Sequence, residues 1–202
     1  APEEVLLAEK LIELDPWAGM VRFARSGGEA NAIAIRIARA ATGRDGVAVC
    51  GYHGWHDWYL SANLSDDDKL AGHLLPGLST NGVPKSLKGN VHPFNYNDFD
   101  ALEDLVATKS IGVIKMEVIR NFEPRDGFLS KVRQLASKNN IVLIFDECTS
   151  GFRECYGGLH KKYEVYPDIA VYGKTLGNGY AVSAVVGREE VMQAAQSTFI
   201  SS

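Results

Sequence analysis

A lysine set among glycines, Gly173-Lys174-Thr175-Leu176-Gly177-Asn178-Gly179, follows directly on the apolar run Ile169 to Tyr172. A neutral lysine amine attacks carbonyl carbon, and flanking glycines leave room for a bulky ligand. An isolated lysine is otherwise a solvated surface charge. The run Ile141 to Phe145 ends in Asp146 and Glu147, two carboxylates where an apolar strand would leave a sheet. A carboxylate there can bind a metal, hold a pyridine nitrogen in its protonated form, or cap the strand end. If the two strands are neighbours, their ends lie ~5 to 10 Å apart, a gap that a pyridine ring could bridge from nitrogen to carbonyl carbon.

Two further segments could serve the same rim. Arg25-Ser26-Gly27-Gly28-Glu29-Ala30-Asn31 opens a helical pattern, so free backbone N–H groups and the positive helix end would face an anion such as phosphate. The same residues would also suit an N-cap at Ser26 or a tight turn at Gly27 and Gly28. Tyr52-His53-Gly54-Trp55-His56-Asp57-Trp58 follows the run Val47 to Cys50, and its rings could stack on a planar ligand or form an aromatic mini-core. His53 and His56 are spaced as metal ligands sometimes are, but no further His or Cys stands at ligand spacing, so no metal is assigned.

The elements that must position these residues alternate. Buried strands are expected at Val47 to Cys50, Ile111 to Met116, Ile141 to Phe145, Ile169 to Tyr172 and Ala181 to Val186. Helical periods run over Glu29 to Ala41 and Asp98 to Thr108, and an amphipathic helix opens the chain. The alternation predicts an α/β domain with a mainly parallel sheet flanked by helices, whose ligands sit at the carboxyl ends of the strands. From Ser61 to Asn97 the pattern fails around Asp66-Asp67-Asp68, Pro76, Gly82, Pro84 and Pro93, which predicts a long loop that could cover a site. The 202 residues are 46% hydrophobic and 23% charged with a formal net charge of -4, the balance of a globular protein without a basic field for nucleic acid. The cysteines, Cys50, Cys148 and Cys155, have no CxxC spacing, which suits a reducing, cytoplasmic setting. No run approaches the ~20 apolar residues of a membrane span.

Together, SGGEAN opening a helix, GYHGWHD after a strand, FDECTSGFR and YGKTLGNGY resemble, in that order, the class III pyridoxal-phosphate aminotransferases. The GFR after the acidic pair is most similar to the glutamate-1-semialdehyde aminomutase branch and its sugar-modifying relatives. The resemblance covers essentially the whole chain. It implies fold type I, a homodimer, and an amine, amino-acid or amino-sugar substrate. It also implies that Lys174 holds pyridoxal 5'-phosphate as a Schiff base and Asp146 pairs with the pyridine nitrogen. Tyr52 would cover one ring face, Cys148 would stand against the other, and Ser26, Gly27 and Gly28 would hold the phosphate. His53 belongs to the same motif, as cofactor contact or as support for Tyr52. Glu117 matches the acid of an EP motif.

The sequence departs from the family pattern at three of these positions. Gly28 stands where the family commonly has Thr or Ser, Cys148 where it often has Val, and Val118 where it has Pro. Residues 1–202 are expected to be part of the cofactor-binding large domain, without the family's N-terminal segment and C-terminal small domain. The hydroxyl that reaches a neighbour's phosphate would then fall near Ser201, Ser202 or beyond. In the implied chemistry the lysine must be neutral to move a proton, so burial and the nearby pyridinium are expected to lower the pKa of Lys174. A fragment keeping fold and dimer contacts without catalysis is the alternative. A nicotinamide oxidoreductase is a third, against which stands the lack of GxGxxG after the first strand.

Overall fold

The computed structural model describes residues 1–65, 69–73 and 77–200. Asp66 to Asp68 and Pro76 of the expected loop, and Ser201 and Ser202, lie outside the described residues. In chain order the first elements are α1 (Pro2–Leu14), β1 (Met20–Ala24), α2 (Gly27–Thr42), β2 (Gly46–Cys50), α3 (Asp57–Leu60) and β3 (Val91–Pro93). Then follow α4 (Phe99–Thr108), β4 (Ile111–Glu117), α5 (Phe128–Lys138), β5 (Val142–Asp146), β6 (Ile169–Tyr172), β7 (Ser183–Gly187) and α6 (Glu189–Met192).

The strands form one sheet in the order β1-β7-β6-β5-β4-β2-β3. From β3 to β6 every neighbouring pair is parallel, and β7 runs antiparallel to both β6 and β1. A parallel sheet needs cover on both faces, and the strand side chains, alternating in direction, supply an apolar set to each. On one face Val47, Val49, Val113, Ile144 and Val171 pack under α2 through Ala34, Ile37 and Ala38. On the other, Ala48, Ile114, Met116, Leu143 and Phe145 pack under α4 and α5 through Leu102, Leu129, Val132 and Leu135. Each fully buried large aliphatic side chain stabilises this sandwich by about 1.5–3 kcal/mol relative to exposure. Leu11 of α1 closes the third cluster, over Tyr172, Ala184 and Val186.

The five expected strands are present with shifted ends. The Ile141 N–H is taken by the Ala136 carbonyl at the end of α5, so β5 starts at Val142 and runs on to Asp146. Tyr180 accepts the Val182 N–H in a turn, which delays β7 to Ser183. Five of these elements were not expected, two of them the four-residue helices α3 and α6. β1 is an edge strand on which Met20 to Phe23 are half-buried, too weak an alternation to stand out. β3 is three residues long and lies inside the stretch expected to be loop, which corrects that expectation at Val91–Pro93. α5 carries a helical stripe of Phe128, Leu129, Val132, Leu135 and Ala136 between charged residues.

Parallel register brings the strand ends level. Glu117 pairs with Asp146, and Asp146 with Val171, so the carboxyl ends of β4, β5 and β6 meet at one rim, to which the N-terminus of α2 also points.

Candidate active site

The site is built around Asp146, the last residue of β5, which is 4% exposed. Its Oδ2 accepts from Asn31 Nδ2 of α2 at 2.8 Å and faces His53 Nδ1 at 2.7 Å. Lys115 Nζ of β4 stands 3.7 Å from the same oxygen. Oδ1 accepts the Cys148 N–H at 3.1 Å. Burial alone would raise the Asp146 carboxyl, but Lys115 and then His53 more than offset it and hold the group well below the usual carboxylate range. Asp146 is therefore a buried carboxylate that stays ionised.

His53 also supports the loop after β2. Its Nε2 lies 3.0 Å from the Cys50 carbonyl, so both ring nitrogens face oxygen atoms. Trp58 stacks on it at 6.3 Å between centroids and Tyr59 meets it edge-on at 5.7 Å. The aromatic mini-core and the site residue are thus one structure. Tyr52 is half-buried, its N–H bonded to Glu117 Oε2 at 3.2 Å and its ring edge-on to Tyr59. Glu117 in turn accepts twice from Arg120 Nη1, at 2.6 and 2.8 Å, so it anchors the Tyr52 loop. Among the described residues no group of three His, Cys, Asp or Glu is placed to hold a metal.

Asp146 and Glu147 point to opposite sides, as successive strand residues do. Glu147 is fully buried and accepts the His160 N–H at 3.0 Å and faces His160 Nδ1 at 2.9 Å, away from the rim. Of the two carboxylates, Asp146 alone belongs to the cluster of Asn31, His53 and Lys115.

Lys174 begins a one-turn 3₁₀ helix, Lys174–Leu176, after β6. Its φ of 46° is left-handed, a conformation a lysine adopts only where the surroundings impose it. Nζ donates to Thr149 Oγ1 at 2.8 Å, which links the loops after β5 and β6. The side chain is exposed, so the burial expected around Lys174 is not supplied by the described residues. Cys148 lies between a glycine at the head of α2 and one after β6: a Cβ added at Gly27 would come within 3.1 Å of its Sγ, and one at Gly173 within 3.2 Å. Burial, with Asp146 beside it, pushes the Cys148 thiol up, so it stays protonated.

At the head of α2, Ser26 accepts the Glu29 N–H at 3.2 Å as an N-cap, so its hydroxyl is committed to the helix. The N–H groups of Gly27 and Gly28 begin the helix without such a partner. A Cβ at Gly28 would lie 3.1 Å from His56 Nε2, which fills the space a side chain would need. Asn31 and Lys115 have no role assigned from sequence, although a lysine within the apolar run Ile111 to Met116 is a visible signal. A nearby cavity of about 210 Å³ is lined by Cys50, His73, Phe94, Glu117 and Arg120, and none of the eight residues assigned to the cofactor lines it.

These residues fit a flat, anionic aldehyde with a ring nitrogen. Asp146 Oδ1 accepts a single hydrogen bond among the described residues, which leaves room for a ring N–H. Asn31 Oδ1 and Lys115 Nζ are buried beside it without partners, so the cluster is polar beyond its own needs. Gly27 and Gly28 offer N–H groups at a helix N-terminus for a phosphate.

Comparison with known proteins agrees. The family model for aminotransferase class-III matches residues 2–200. A 3-aminobutyryl-CoA aminotransferase of Cloacimonas acidaminovorans (strain Evry) is 37% identical over 205 residues, covering 97% of this chain and 45% of that protein. A glutamate-1-semialdehyde 2,1-aminomutase of Methanobrevibacter smithii is 39% identical over 202 residues, covering 94% and 45%. The solved structure of a transaminase with PLP bound matches with a TM-score of 0.82 at 30% identity, over 95% of this chain and 46% of that one. The chain thus spans about half the length of the relatives it matches.

Proposed function

The chain belongs to the class-III aminotransferase family, with the fold type I architecture and pyridoxal phosphate as the family's cofactor, and from that premise we propose that its residues transfer an amino group through Lys174. The observation that carries this reading is the pairing of β5 with β6, which sets a buried, ionised Asp146 and a left-handed Lys174 at adjoining strand ends. When bound, the cofactor supplies an aldehyde carbon that takes the substrate's nitrogen and a ring that absorbs negative charge.

Asp146 would orient that ring and keep its nitrogen protonated through Oδ1, which accepts the Cys148 N–H and has room for a second donor. Gly27 and Gly28 hold the phosphate through backbone N–H groups, and Ser26 supports them as the helix cap. Tyr52 and Cys148 would flank the ring, and His53 fixes Asp146 and the Tyr52 loop. Lys174 Nζ is the amine that would hold the cofactor covalently. As a free amine, Lys174 Nζ would take up and return the proton that the transfer moves, with Thr149 Oγ1, to which it donates at 2.8 Å, steering it.

The substrate class is a small amine, amino acid or amino sugar. Transfer to a second substrate and return to a neighbouring carbon use the same groups. The 202 residues are read as part of the cofactor-binding domain of a homodimer. Exposed Trp55 and Tyr180 supply apolar surface for a partner, and the three free cysteines fit a cytoplasmic location. The test is borohydride reduction after adding pyridoxal phosphate, followed by peptide mapping. The label is expected on Lys174 and absent in Lys174→Ala; a label scattered over surface lysines overturns the assignment.

A further inference from the structure

Lys115 interrupts an otherwise apolar stretch of β4, and its side chain is fully buried. Its Nζ has no hydrogen-bond partner among the described residues. A buried ammonium is costly unless paired, so a lysine where an aliphatic residue would pack needs a reason. The acid within ion-pair distance is Asp146, at 3.7 Å. Glu117, on the same strand, is already balanced by Arg120. Cys148, also near Lys115, keeps its proton, and His53 and Asn31 approach Asp146 Oδ2 from the loop after β2 and from α2.

Resting on the reading of Asp146 as the ring-nitrogen partner, we propose that Lys115 is a positioning residue that shares the Asp146 carboxylate with the cofactor. It holds Oδ2 while the ring nitrogen takes Oδ1, and its charge makes the bound ring hold its proton less tightly than Asp146 alone would. Asp146 thereby has a lysine beside it, and the cluster is assembled, before the cofactor arrives.

The experiment adds pyridoxal phosphate to the chain and to Lys115→Met and Lys115→Gln, and follows the visible band of the bound cofactor against pH, with thermal unfolding alongside. Removing one positive charge a few ångströms away should raise the band's pH midpoint by about one unit or more in both variants. A midpoint that stays in place in the folded variants overturns the inference. In the unmodified chain, an analogue with carbon in place of the ring nitrogen should bind within about tenfold of pyridoxal phosphate, because Lys115 already balances Asp146. A preference of about a hundredfold or more for the nitrogen ring means that Asp146 is uncompensated, and again overturns it. If the unmodified chain gives no band at all, the function proposed above falls as well; a band indifferent to residue 115 overturns this inference alone.

Discussion

Replacing Asp146 by Asn should unsettle the fold before any chemistry is measured. The carboxylate receives Asn31 and His53 on Oδ2, with Lys115 3.7 Å away, and the Cys148 N–H on Oδ1. An amide oxygen placed at Oδ2 satisfies those donors, but the amide nitrogen then confronts the Cys148 N–H, donor against donor. At 3.7 Å and an effective dielectric near 20, the Lys115 attraction is worth about 4–5 kcal/mol before desolvation is counted. Removing one partner of such a buried pair costs about 3–5 kcal/mol, because the other charge is left unbalanced. For a domain of this size the midpoint should fall by about 6–20 °C. Thermal and urea unfolding at neutral pH measure it. Adding Lys115→Met to Asp146→Asn removes the stranded charge and should recover about 2 kcal/mol or more. A loss below about 1 kcal/mol, or a double variant no more stable than the single one, would refute the view that this pair is buried and mutually balanced.

Three other outcomes follow from the same geometry. Burial lowers the His160 pKa, but Asp15 and Glu147 outweigh it, so the net shift is upward. Its contribution to stability is complete below the unfolded value near 6.5 and is lost as pH rises through the folded value. The urea midpoint should therefore fall as pH climbs above that point, and His160→Gln should flatten the decline; an equal decline in both variants removes His160 as its source. Burial and Glu117 push the Cys50 thiol up to about 12, and Cys148 is raised too, whereas Cys155 is half-buried. A thiol reagent near pH 8 should label Cys155 first by mass mapping, and early labelling of Cys50 would contradict its burial. Trp55, Tyr180 and Phe199 are 71%, 83% and 92% exposed, so light scattering should find more than one chain per particle. A monomer at every concentration tested would contradict that association.

The sequence by itself determined the local pieces. The apolar runs ending in Asp146 and Tyr172 are legible because strands buried on both faces need continuous apolar residues, and the α2 stripe is legible because a helix repeats its buried face every three or four residues. Ser26 before a helix and Lys174 between glycines are likewise local signals, and four motifs in a fixed order carried the family resemblance. The tertiary structure alone decided what depends on pairing. It put β5 beside β6, made Asp146 and not Glu147 the acid of the rim, and brought Asn31 and Lys115 to it across long sequence separations. It also left Lys174 exposed, and it formed β1 and β3 as edge strands whose patterns are too short or too half-buried to read. The physical reason is that side-chain direction and burial at a strand end are set by which strands and helices lie alongside, and no local periodicity encodes that choice.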